Sequence, residues 1–194
     1  MAAKSSRSRL RDAAVAAFAE RGFHGTTTRD IATAAGMSPA ALYVHHRSKE
    51  ELLHELSLEG HEATLRLVRD AIAQHDSPTA QLRALMHAFA LHHARAHTSA
   101  RVVNYELASL SPDHLADIQR LRREIDEAVR GVVDAGVAAG EFDAPHPRLA
   151  AAALLSLGID IARWYHDGGT WTPEDVAEGY ADLALRIVGA ARAS

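Results

Sequence analysis

The sequence predicts an all-α fold of nine helices, on three observations. Apolar residues recur at helical spacing along nearly all of its 194 residues. No run of alternating β-branched residues bounded by hairpin turns occurs. Ser-Pro pairs, Ser/Thr-x-x-Asp/Glu boxes and glycines punctuate the pattern at regular intervals. Alanine, a helix former, is the one compositional bias, and no repeat of fixed period is present.

Taken in order, a first helix runs from about Ser5 to Gly22, where glycine suits the left-handed stop. A second covers about Thr27 to Ala35, with Thr27 and Asp30 as a capping box and Gly36 ending it. Ser38-Pro39 is an N-cap followed by a first-turn proline, whose missing N–H costs nothing there, so a short third helix spans Pro39 to about Val44. Ser48 and Glu51 repeat the box and launch a long fourth helix through Leu52, Leu53, Leu56 and Leu65 to about Gln74.

Ser77-Pro78 opens a fifth helix to about His97, Ser99 or Ala100 a sixth to Leu110, and Ser111-Pro112 a seventh to about Gly140. After the loop GEFDAPHP an eighth spans about Arg148 to His166, and HDGGTWTPEDV leads into a ninth from Pro173 to about Ala191. The domain boundary is expected within the fourth helix, giving a small N-terminal domain of residues 1–50 and a larger one of residues 51–194.

Charge is divided unevenly between these two parts. Residues 1–50 carry eight Lys/Arg (Lys4, Arg7, Arg9, Arg11, Arg21, Arg29, Arg47, Lys49) against four acids (Asp12, Glu20, Asp30, Glu50), a net of +4. The whole chain is −4, so residues 51–194 carry −8. A basic head that meets a polyanion and an acidic body that does not is the simplest reading.

Cysteine is absent, which excludes disulfides, thiolate metal sites and cysteine nucleophiles and suits a reducing cytoplasm. The N-terminal segment is amphipathic and interrupted by Arg11, Asp12 and Glu20, unlike a signal peptide. The most apolar window, Leu149 to Ile159, is followed by Asp160 and Arg163 and falls short of the roughly 20 residues of a membrane span. A soluble, cytoplasmic protein without a membrane partner is expected.

Residues 27–52, TTRDIATAAGMSPAALYVHHRSKEEL, have helix-turn-helix anatomy. Ile31, Ala32 and Ala35 face inward, Ala34 and Ala35 leave room for a close helix crossing, Gly36 supplies the turn and Met37 plugs the space between the helices. The third helix is short because few residues need to enter a major groove. Its small residues Ala40 and Ala41, after Ser38 and Pro39, bring the backbone close to base edges and thymine methyls, while Leu42 points to the core. Thr27, Thr28, Arg29, Tyr43, His45 and Lys49 sit where side chains reach phosphates, which position a reader without carrying sequence information.

The pattern T-x-x-D-I-A-x-A-A-G-x-S-x-x-x-L-Y-x-H-x-x-S-K-E-E-L resembles the DNA-binding domain of TetR/AcrR family repressors, and the nine-helix plan agrees with that family. The resemblance implies a dimeric repressor of double-stranded DNA, joined through its last two helices and released by a small-molecule effector, with no enzymatic activity and no fixed cofactor. Two departures stand out: the family's usual Tyr-Tyr pair is Tyr43-Val44, and its usual buried Phe is His46.

The helices at residues 148–166 and 174–191 present apolar faces rich in small residues, suited to packing across a two-fold axis. Two heads about 34 Å apart would then read a palindrome. Polar and aromatic residues embedded in apolar stretches of the body are His87, Phe89, His92, Arg101, Asn104, Tyr105, Arg163 and Trp164. The stretches RVVNYELASLSP and IARWYHDGGTWTPEDVAEGYADLALRIVG are similar to a TetR branch that senses acyl-CoA or steroid-CoA thioesters. That similarity implies Arg101, Asn104, Arg163 and Trp164 as ligand residues, an arginine meeting an anionic end and the indole a flat group, and His87, Phe89 and Tyr105 join them as ligand-binding candidates from the embedded positions alone. Asp160, one turn before Arg163, offers that arginine an ion pair instead.

Other chemistries find little support. His93 and His97 have a chelating spacing, but no third ligand is evident nearby and no metal is expected. HELSL and HEATL lack the second histidine of a zinc-protease motif. There is no phosphate-binding glycine loop, dinucleotide fingerprint or nucleophile elbow, so no catalytic residue is assigned. A scaffold that uses its helical faces only for protein partners would leave the basic head unexplained.

Overall fold

A computed structural model describes residues 5–190. Lys4 and the expected helix end at Ala191 lie outside them. Among the described residues the chain is all-helical: α1 (Ser6–Arg21), α2 (Thr28–Ala34), α3 (Pro39–His45), α4 (Lys49–Ala73), α5 (Pro78–Arg95), α6 (His97–Tyr105), α7 (Pro112–Ala138), α8 (Pro147–Trp164) and α9 (Pro173–Ile187). No helix of the described residues is long and apolar enough to cross a membrane.

The punctuation read from the sequence is present as hydrogen bonds. Ser5, Thr27, Ser38, Ser77 and Thr172 each accept a backbone N–H from their own helix's first turn, and Thr27–Asp30 and Thr172–Asp175 are complete reciprocal boxes. Ser48 Oγ accepts from Glu51 N–H, but the Glu51 carboxylate reaches back to Arg47 N–H rather than to the cap residue. Gly36, at φ +66, ends α2 with two backbone bonds, Gly36 N–H to Thr33 O and Met37 N–H to Ala32 O. The left-handed turn that only glycine adopts cheaply is therefore what separates α2 from α3.

One element differs from expectation. The sixth helix was expected from Ser99 or Ala100 to Leu110; it starts at His97, stops at Tyr105 and gives way to a 3₁₀ turn at Leu107–Ser109. The tighter turn lets Leu110 bury, and Pro112 favours an extended Ser111 before α7.

The chain forms two compact units. The first comprises the residues up to His61 together with Thr98–Gln119. Its core joins Leu10, Ala14 and Phe18 of α1, Ile31 and Ala32 of α2, Leu42 of α3, and Leu52, Leu53 and Leu56 of α4. To these it adds Val102, Val103, Leu110 and Ile118 from the later segment. The second unit comprises Glu62–His97 and the residues from Arg120 on. There α5 packs along α9 and α8: Ala90 and Ala94 meet Ile161, Tyr165, Val176 and Ala177, and Arg83 pairs with Glu178 and Asp182 at the surface. At Gly158 of α8 the packing against α5 leaves no room for a side chain, since a Cβ there would lie 2.6 Å from the Phe89 ring.

Candidate nucleic-acid interface and effector residues

The first unit holds α3 outward on a single anchor. Leu42 is fully buried, whereas Ser38, Pro39, Ala40, Tyr43, Val44 and His45 are exposed and Ala41 is half-buried. Arg29 and Arg47 are exposed on either side in sequence. Ala34, expected at the close crossing, faces solvent instead; Ala35 alone of that pair is buried. Tyr43 is fixed by a 3.2 Å hydrogen bond between its hydroxyl and Thr28 Oγ1, which ties α3 to the start of α2. The bond holds the two exposed hydroxyls in one place.

Several residues assigned to phosphates already have structural partners. Thr27 Oγ1 and Thr27 N–H donate to the Asp30 carboxylate at 2.7 and 2.9 Å and hold it below its usual range, while Thr27 Oγ1 accepts from Asp30 N–H. Lys49 Nζ donates to Phe23 O at 2.7 Å and Thr26 O at 2.8 Å, and lies 4.2 Å from the Phe23 ring centroid. Its ammonium thus ties the loop after α1 to the start of α4. Thr26, which the sequence reading passed over, is buried beneath the same loop, donating to Gly22 O and lying within hydrogen-bond distance of Ala17 O.

Two of the basic residues in the head face acids, not solvent alone. Arg7 pairs with Glu55 at 3.0 Å, and Arg11 pairs with Glu59 and approaches Glu55. Glu55 also lies 3.5 Å from Nδ1 of His46, which is 2% exposed and whose Nε2 has no hydrogen-bond partner. Burial pushes the His46 imidazole below its ordinary value, against an opposing pull from Glu55. Where a buried Phe is usual, this chain therefore keeps a buried neutral ring one residue beyond α3.

A second set of contacts was not legible in the sequence. Glu50, at the start of α4, accepts from Ser111 N–H at 2.8 Å and from the His114 ring at 2.8 Å. Burial would raise its carboxyl, but those bonds outweigh it and hold it below the usual range. His54 stacks on His114 with ring centroids 3.8 Å apart and reaches Asp117 at 3.3 Å. Residues 50 and 114 are far apart in sequence, and no local pattern links them.

Most of the candidate effector residues have structural neighbours of their own. In the first unit, the exposed Arg101 donates to Ala19 O, Asn104 Nδ2 donates to Ala100 O, and Tyr105 is exposed. In the second, His87 is half-buried with Nε2 3.8 Å from Glu178, and burial pushes the His92 ring down. Phe89 is a core residue, 1% exposed and seated against Gly158. Arg163 faces Asp160 at 3.4 Å, the ion pair its spacing offered. Trp164 is partly exposed, stacked on Tyr180 and edge-on to Trp171. His93 and His97 bond through Nδ1 to the carbonyls of Phe89 and Ala94. Among the described residues no group of three or more His, Asp or Glu is placed to hold a metal ion.

This arrangement, a helix-turn-helix head followed by a helical body, defines a transcriptional regulator. Residues 10–56 match the family model described as bacterial regulatory proteins, tetR family, and residues 75–188 match that of the tetracyclin repressor-like C-terminal domain. The chain belongs to the TetR family. It is 32% identical over 92% of its length, and 89% of the other chain, to the HTH-type transcriptional repressor KstR2 of Rhodococcus jostii. A solved tetR-family regulatory protein from Rhodococcus RHA1 is 39% identical, covers 98% of this chain and 100% of its own, and superposes with a TM-score of 0.91. The ketosteroid transcriptional regulator KstR2 of Mycobacterium tuberculosis is 28% identical over 97% of each chain with a TM-score of 0.88.

Proposed function

We propose that the chain is a cytoplasmic repressor that binds a palindromic operator as a homodimer and leaves it when a small lipid-like effector, such as an acyl-CoA or steroid-CoA thioester, occupies the body. The observation that carries the reading is α3: a short helix held by one buried leucine, with Ala41 half-buried, every other side chain exposed and arginines close by in sequence.

The dimer reading rests on α8 and α9. Leu149 and Leu157 share one face of α8, and Leu183 and Ile187 lie one turn apart on α9; all four are exposed, Leu149 to 67%. A second copy covering this apolar surface accounts for it. The thioester class follows the sequence resemblance, and the likeness to KstR2, one example of which is described as a ketosteroid transcriptional regulator, supports its steroid part. His87, Arg163 and Trp164, all partly exposed in the second unit, are the side chains that would meet such a ligand.

The test is a gel-shift against the DNA upstream of the chain's own gene, repeated across salt. Phosphate contacts require affinity to fall steeply as salt rises. Ala40→Glu, at an exposed position, should abolish the shift while leaving the thermal transition in place. An Ala40→Glu protein that binds like the parent would remove α3 from the reading role. Calorimetry with acyl-CoA and steroid-CoA panels checks the effector, and no heat from any thioester removes that class.

A further inference from the structure

Successive side chains on a helix point about 100° apart. With Leu42 fully buried, the line opposite it is the outermost edge of α3, and Ala40 and Val44 each lie within about 20° of that line. Val44 is 79% exposed, more than any other large apolar side chain described. Tyr43, to one side, has its hydroxyl bonded to Thr28; Ala41, on the other, is half-buried. The ridge that would enter a groove first therefore consists of methyl groups, without a donor or an acceptor.

Base edges in the major groove present several hydrogen-bonding groups but one apolar group, the C5-methyl of thymine. Resting on the operator-binding reading above, we propose that the Ala40–Val44 ridge recognises thymine through that methyl, so that Val44 is a specificity-determining residue. Apolar contact then takes the place of bidentate hydrogen bonds to purines. The exposed Arg29 and Arg47 supply attraction to the polyanion and no sequence information. The isopropyl group of Val44, left largely exposed among the described residues, is buried when α3 meets a methyl-bearing base step.

The experiment uses the full chain and a duplex selected by it from a random-sequence pool, resynthesised with deoxyuridine at one thymidine position at a time. Uracil lacks only the methyl. At contacted positions the parent should lose about fourfold in affinity per methyl removed, the factor that burial of one such group corresponds to. Val44→Ser, an exposed substitution, should bind the thymine duplex more weakly and show no further loss with uracil. A parent that selects a specific duplex yet binds its uracil forms equally well, or selects one without thymine, overturns the ridge while leaving operator binding intact. A parent that selects no duplex at all overturns the operator reading and the ridge with it.

Discussion

Lys49 separates two accounts of the same residue, a phosphate contact and an internal tie. Replacing it with Ala removes charge-assisted hydrogen bonds to the carbonyls of Phe23 and Thr26 and the contact with the Phe23 ring. Each hydrogen bond to a charged group contributes about 1.5–3 kcal/mol and an exposed cation–π contact about 0.5–1 kcal/mol. Water reclaims part of this at a half-buried ammonium, leaving a net loss of about 2 kcal/mol for the first unit, or roughly thirtyfold in its opening equilibrium. Tryptophan fluorescence would miss the effect, because Trp164 and Trp171 both belong to the second unit. Native-state hydrogen exchange on the DNA-free chain reads it directly: amides of α1 and α2 should lose protection, and those of α8 should not. If exchange in α1 and α2 is unchanged and only DNA affinity falls, the tie carries no stability and the argument from its geometry fails.

Gly158→Ala puts a Cβ 2.6 Å from the Phe89 ring and should destabilise the second unit by about 1–3 kcal/mol in urea unfolding followed by tryptophan fluorescence. Adding Phe89→Leu should recover part of that loss, and strictly additive effects would sink the packing account. His46, whose ring burial depresses, adds stability that is complete above the ordinary imidazole value near 6.5 and declines as pH falls below it toward the lower folded value. His46→Leu removes the unpartnered Nε2 and should gain about 1 kcal/mol at neutral pH. It should also flatten the acid-side decline in a pH series of unfolding curves, and an unchanged slope would count against His46 as its source.

The helix plan was legible because its punctuation is local. Thr27 with Asp30, Ser38 before Pro39, and Thr172 before Pro173 act within one turn, and the structure places each where its spacing requires. Outward and inward faces of α3 followed from the same short range, with Leu42 in and Ala40 out. What escaped were groups whose partners are distant in the chain. Nothing near Lys49 in sequence announces Phe23 O, and nothing near Glu50 announces Ser111 and His114. Likewise Phe89 reads as an aromatic in an apolar stretch whether it lines a cavity or, as here, fills the notch left by Gly158. Arginines counted toward a basic head also included Arg7 and Arg11, which α4 answers with Glu55 and Glu59.

The reading head borrows Val102, Val103, Leu110 and Ile118 for its interior. Anyone grafting this head onto a foreign sensor, or a foreign head onto this sensor, must therefore carry Thr98–Gln119 across with it. Cutting in the middle of α4 would leave leucines bare that the missing valines ordinarily cover, and the hybrid would aggregate before its specificity could be assayed.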